Sequence, residues 1–302
     1  MKKPYFLVLI VFALGVISCK KENHVAAPNL IFKMKFDSTQ ARLNNIGQPS
    51  TIPDGHAAQN PVFNSMSVHY IELSSNAFVA LGQGAVLYKA AETTAGGSNA
   101  IDFSKSTFAG NNEVFFQMPL KDIPAGDYEW LRVSLAYQNA DVKFKVDTTV
   151  AGITINQDFV GTLAGFIGFN TYITSYKVKN QSLTVNGNKK QGYWGFETVL
   201  TGGGYTYPFI TSGQAPDGAT TVVNPIFATS PIPQGSCVVT AAFVPGKLTI
   251  TGNETNDVIV ECSFSTNNSF EWIDVVQDGR WEPSKGEQVT DMGIRGMIPT
   301  IK

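Results

Sequence analysis

The spacing of apolar residues along the chain is that of many short strands. Leu30, Phe32, Met34 and Phe36 alternate with Ile31, Lys33 and Lys35, the period of a half-buried strand. A polar loop carrying Pro49, Pro53 and Pro61 leads to a strand at 65–73. Strands at 77–81 and 85–90 flank Gly82-Gln83-Gly84, and another covers 114–120. Pro124-Ala125-Gly126-Asp127 turns the chain into 128–137, where Leu131, Val133, Leu135 and Tyr137 alternate with Trp130, Arg132 and Ser134. The pattern continues at 142–146 and 153–155. Residues 158–169 mix apolar side chains with Gly161, Gly165 and Gly168, which reads as a bulged strand or a buried loop. Strands follow at 171–178 and 183–185. Asn186-Gly187 is then the favoured dipeptide for a hairpin turn into 192–200. Residues 202–235 are the least regular, with Gly202-Gly203-Gly204 and repeated prolines. A structureless loop of that length is unusual in a compact domain, so the stretch is a functional surface loop or holds short edge strands. Segments at 237–243, 247–251 and 257–264 read as a three-stranded meander. Further strands are expected at 270–275 and 288–298.

No window sustains the helical period over three turns, and no fixed repeat stands out. The pattern predicts an all-β fold, with antiparallel sheets packed as a β-sandwich or jelly roll. Residues 29–302 form either one extended assembly or two packed sandwiches divided near 148–152.

The N-terminus changes the picture. Lys2 and Lys3 precede an uncharged apolar run at 5–17. The run is shorter than the ~20 residues of a membrane-spanning helix and suits the apolar region of a signal peptide. It ends at Val16-Ile17-Ser18-Cys19, which resembles the lipobox of bacterial lipoproteins: a branched apolar residue, then a small residue directly before an obligatory cysteine. The resemblance implies that residues 1–18 are removed and that Cys19 opens the mature chain and carries fatty acyl groups such as palmitate. Several acyl chains on one residue anchor a protein durably. Residues 19–28 are then the lipidated cysteine and a tether. Its charged start, Lys20-Lys21-Glu22-Asn23, is similar to the export tether of lipoproteins displayed on Gram-negative cells. The expected location is the cell envelope, on the periplasmic or surface face of the outer membrane.

The chain has 302 residues, with 22 basic and 24 acidic side chains and a net charge of −2. There is no basic stripe, and no Lys/Arg run beyond the tether, to hold a nucleic acid. Besides Cys19 the cysteines are Cys237 and Cys262. An oxidising compartment permits a disulfide. On a meander they sit on the first and third strands, about 9–10 Å apart, beyond the ~7 Å reach of a bridge. Buried thiols are expected, with a bridge as the alternative.

Candidate chemistry is sparse. The histidines are His24, His56 and His69. A metal site gathers several ligands, and Asp54, His56 and His69 meet only if their loop folds back on the strand. The succession of an opening Leu-x-Phe strand, Ser67-Val68-His69-Tyr70-Ile71, Leu87-Tyr88-Lys89, Ile123-Pro124-Ala125-Gly126-Asp127-Tyr128 and Leu131-Arg132-Val133 is similar to envelope proteins of the MbnP copper-binding type, over roughly residues 30–137. That resemblance implies copper held by histidine and a modified tryptophan. It assigns none of those ligands residue by residue; His56 and His69 are the histidines on offer. Gly-x-Ser-x-Gly, His-Glu-x-x-His and the P-loop signature are absent, which leaves an extracytoplasmic hydrolase as a third reading.

Aromatic residues cluster at Tyr193, Trp194 and Phe196, at Tyr205 and Tyr207, and at Phe270 and Trp272. Alternation puts Trp194 and Phe196 on one face and Tyr193 on the other. Trp194, Tyr205 and Trp281 are the candidates for stacking on a carbohydrate or other ligand, against the plainer role of core packing. Finally, Asp274, Asp278, Gly279 and Glu282 fall at positions one, five, six and nine of a calcium loop of EF-hand type, with Glu287 two residues late for the closing glutamate. The competing reading is a connection in which Asp278-Gly279 makes the turn and Trp281 packs down. These features together predict an anchored, non-catalytic envelope lipoprotein that binds a ligand or protein partner.

Overall fold

The computed structural model describes residues 27–44, 46–150, 152–202, 204–215 and 238–302. Cys19, the tether through residue 26 and Cys237 lie outside the described residues. The strands of the first half are β1 (Asn29–Asp37), β2 (His56–Gln59), β3 (Val62–Ser74), β4 (Ala85–Lys89), β5 (Glu92–Thr93), β6 (Ala100–Asp102), β7 (Val114–Pro119), β8 (Gly126–Tyr128), β9 (Trp130–Val150) and β10 (Ile153–Phe166). The second half supplies β11 (Asn170–Lys177), β12 (Ser182–Lys190), β13 (Tyr193–Gly202), β14 (Tyr205–Gln214), β15 (Val238–Ala242), β16 (Leu248–Ile250), β17 (Val258–Ser265), β18 (Phe270–Ile273), β19 (Val289–Asp291) and β20 (Met297–Ile301). Apart from three single-turn 3-10 segments, the regular structure described is all strand, as the apolar spacing predicts.

A seven-stranded sheet runs in the order β14-β13-β10-β9-β3-β4, with β15 also paired to β9. It packs on a four-stranded sheet, β20-β17-β1-β7. Between them, Leu30, Phe32 and Met34 of β1 and Val260, Cys262 and Phe264 of β17 meet Met66, Leu73, Leu131, Val133 and Leu135. Full burial of each such side chain contributes about 1.5–3 kcal/mol, and this sandwich core is the main source of stability. Most pairings are antiparallel; β1–β17 and β6–β11 are parallel.

Strand β9 outruns that sandwich. Its second half pairs with β10, with Val150 paired to Ile153 at the end of the ladder. Here the sheet is covered on both sides. Val142, Phe144, Phe159, Leu163 and Phe196 pack with Phe270, Trp272, Trp281 and Met292. Tyr137, Phe166 and Tyr193 pack with Ile173, Tyr176 and Val178 instead. Trp194 joins the first of these clusters and Tyr193 the second, the division that alternation predicts.

Several local expectations fail for identifiable reasons. Residues 77–81 are not a strand; 75–84 form turns that wrap a wholly buried ion pair. Glu72 and Arg132 lie directly opposite each other on β3 and β9, both 0% exposed. Arg132 Nη1 lies 3.4 Å from Glu72 Oε2, and its Nη2 donates to the carbonyls of Ala77 (3.1 Å) and Val79 (2.5 Å). Glu72 accepts the backbone N–H groups of Gly82 and Gly84.

Asn186-Gly187 does not turn the chain. Asn186 has φ +49° inside β12, where the β11–β12 register shifts. β12 runs on to Lys190, and the chain turns into β13 at Gln191-Gly192. The preceding connection, at 178–181, is held by the Glu197 carboxylate, which accepts the N–H groups of Lys179, Asn180 and Gln181. Burial pushes the Glu197 carboxyl up, but these donors outweigh it and hold it below the usual glutamate range.

Residues 158–166 are neither a bulge nor a loop; they continue β10. The irregular stretch from 202 does hold an edge strand, β14, as one of its two readings expects. The predicted meander does not form. β15 pairs with β9, β16 with β8, and β17 lies between β1 and β20. Likewise 288–298 divides into β19, paired with β18, and the start of β20, paired with β17. Cys262 is a buried free thiol in β17, pushed up by burial.

Candidate functional site

A cavity lies between the far half of the seven-stranded sheet and the segment after β18. Its volume is about 510 Å³, within the usual range for small-molecule sites. Register explains one wall. Trp194, Phe196, Thr198 and Leu200 of β13 stand opposite Gly213, Thr211, Phe209 and Tyr207 of β14. Residues directly opposite in an antiparallel pair share a face, and all but Gly213 and Tyr207 line the cavity. Leu163 of β10, opposite Phe196, and Phe144 of β9 extend the wall inward.

Two glycines let the rings lie down on the sheet. A Cβ on Gly161 would sit 2.1 Å from the Phe196 ring, and one on Gly213 would sit 2.5 Å from the Trp194 indole. Any side chain at either position would force the ring into the space now left open.

The facing wall is Trp281, Pro283, Glu287, Gln288, Val289 and Met292. Trp281 is 8% exposed and meets Phe270, Phe196 and Phe144 with ring centroids 4.8, 5.9 and 6.2 Å away. Its carbonyl accepts the Lys145 N–H at 2.8 Å, tying this wall to β9. The Glu287 carboxylate accepts the N–H groups of Val276 (3.2 Å) and Glu282 (2.6 Å), which shapes the loop around it. Burial pushes the Glu287 carboxyl up despite those donors, and Asp274 and Glu282 add to the shift.

Of the three stacking candidates, Trp194 and Trp281 thus face each other's cavity. Tyr205 does not line it. It stands 62% exposed at the start of β14 and leans on Tyr207, 6.3 Å away between centroids. Pairing places Tyr205 on the cavity face of the sheet, beyond the mouth. Phe209, Thr211 and Gln214 complete the lining from a strand whose period Pro208 and the neighbouring glycines mask in the sequence.

The acids of the supposed calcium loop are engaged by other groups of the protein. Asp274 accepts the Gly279 N–H at 3.0 Å and Asp278 the Arg280 N–H at 2.9 Å. Glu282 lies 2.8 Å from Lys145 Nζ, which is also 3.6 Å from Asp278. Among the described residues, no three His, Cys, Asp or Glu side chains gather as a metal-holding group.

The two histidines also have different partners. His69 Nε2 lies 3.0 Å from Glu92, and burial lowers the histidine's basicity. His56 Nδ1 lies 2.6 Å from Glu271. Glu271 is the hub of a buried cluster in which Arg42 and Arg295 also bind it and Asp291 binds Arg295 at 2.7 Å. The cluster fastens the 38–50 loop to β18 and β19, and sequence reading missed it because its members lie far apart along the chain.

Burial pushes the Glu271 carboxyl up, but His56, Arg295 and Arg42 outweigh it and hold it low. Folding therefore favours the ionised form. This stability is fully present above the ordinary glutamate value, about 4.3, and is lost as pH falls through the lowered one. Glu271→Gln should accordingly melt below the wild type at neutral pH, with the gap closing on acidification. A gap that stays constant with pH would show that Glu271 ionisation contributes nothing.

No family model, curated protein or solved structure matches this chain. The fold and cavity alone define its class: an all-β protein with an aromatic-walled pocket at one end of its larger sheet.

Proposed function

We propose that the chain is an envelope lipoprotein, held to the membrane through acylated Cys19, whose β-sandwich binds an apolar small molecule without catalysis. The cavity carries this reading. Its walls are mainly rings and aliphatic side chains, with Thr198, Thr211, Gln214, Gln288 and Glu287 as the polar members. That composition suits an apolar body oriented by a few polar contacts. It suits a free sugar less well, since a sugar's many hydroxyls need more partners than these walls supply. The lipobox resemblance supports the anchored location.

The test is titration of the full chain with N-phenyl-1-naphthylamine, a neutral apolar fluorophore. Saturable binding at one site is expected, weakened by Trp194→Ala. Emission that rises without saturation, or is unchanged by Trp194→Ala, would refute the assignment.

A further inference from the structure

The charge and ring content of the cavity walls narrow the ligand class. Five aromatic side chains line it: Phe144, Trp194, Phe196, Phe209 and Trp281. Their faces carry negative partial charge and attract a cation within about 6 Å, most strongly where water is excluded. Among the described lining residues the one ionisable side chain is an acid, Glu287, and none is basic. Glu287 is 4% exposed. The nearby base on β9, Lys145, does not line the cavity and is engaged by Glu282 at 2.8 Å. Lys285 points its charge to Asp147, 3.5 Å away. An anion entering this space would meet ring faces and a carboxylate with no compensating cation in the wall.

We infer that the cavity selects an organic cation, a quaternary or tertiary ammonium group on an apolar body, over neutral or anionic molecules of the same shape. This rests on the apolar-pocket reading above and adds the sign of the ligand's charge. Rings supply the contact area and the cation–π attraction, and the buried acid supplies the field that discriminates by charge.

Three probes built on one benzyl group separate the possibilities, read by calorimetry on the full chain: benzyltrimethylammonium, its neutral carbon isostere neopentylbenzene, and the anion phenylacetate. The cation should bind at least about tenfold more tightly than the isostere, the scale that cation–π attraction reaches in a desolvated site, and phenylacetate should bind more weakly than either. Glu287→Gln should reduce the preference to the part that the ring faces supply while neopentylbenzene still binds, which also certifies that the variant is folded. The comparison on the wild-type chain needs no variant and decides alone. Equal affinity for the cation and its isostere, or tighter binding of phenylacetate, overturns the charge inference but leaves the apolar pocket standing. Failure of all three probes overturns the pocket reading itself.

Discussion

Replacing Arg132 with methionine should destabilise the protein by about 3–5 kcal/mol, the range for breaking a buried ion pair from one side. The guanidinium is wholly buried, and its removal strands the Glu72 carboxylate in the same setting. The carbonyls of Ala77 and Val79 lose their donor as well, so the 75–84 loop should loosen and exchange its amide hydrogens faster. Replacing Glu72 and Arg132 together with leucine and methionine should recover part of the loss, because no unpaired charge remains. Urea denaturation measures all three proteins. A single-variant loss below about 1 kcal/mol, the scale of an exposed pair, would show that the site is wet and that the loop does not seal it.

Trp281→Ala should cost a similar amount, about 3–5 kcal/mol, as large-to-small changes of buried aromatics do. The indole touches rings from three elements, Phe144, Phe196 and Phe270. Its loss joins the hole left behind to the existing cavity. Chemical denaturation checks the stability, and N-phenyl-1-naphthylamine binding should weaken in the same variant because one wall has gone. A loss under about 1 kcal/mol would mean that the 281–292 segment covers the sheet loosely and does not form a wall.

The parts of the fold legible in the sequence were those set by local period. Leu30, Phe32 and Met34 alternate and are buried as expected, and Trp194 and Tyr193 divide between faces. Arg132 shows where that logic stops. Alternation correctly puts it on the face opposite Leu131 and Val133, but that face is covered by a loop of the same chain, so the charge is wholly buried. Asn186-Gly187 has the chemistry of a turn, yet pairing with β11 carries β12 on through Lys190, and the turn into β13 comes at Gln191-Gly192. The parallel pairing of β1 with β17 joins residues more than two hundred positions apart, and no local pattern encodes it.

The site was half legible. Trp194 and Trp281 were singled out as aromatic platforms, and they line one cavity. The strand completing it was available in the alternation of Tyr205, Tyr207, Phe209 and Thr211, but Pro208 and the neighbouring glycines obscured it. Pro208 fits because β14 is an edge strand, where a missing N–H is tolerated. Gly161 of β10, which reads as an interruption, is where the Phe196 ring lies down on the sheet.

The measurement that bears most directly on ligand binding fills the cavity while leaving its aromatic walls in place. Thr211 lies on β14 directly opposite Phe196, on the lining face, so Thr211→Trp places an indole in the open space. N-phenyl-1-naphthylamine titration of that variant should show binding abolished, with a melting temperature equal to or above that of the wild type. Undiminished binding to a folded Thr211→Trp protein would place the ligand elsewhere and contradict the account.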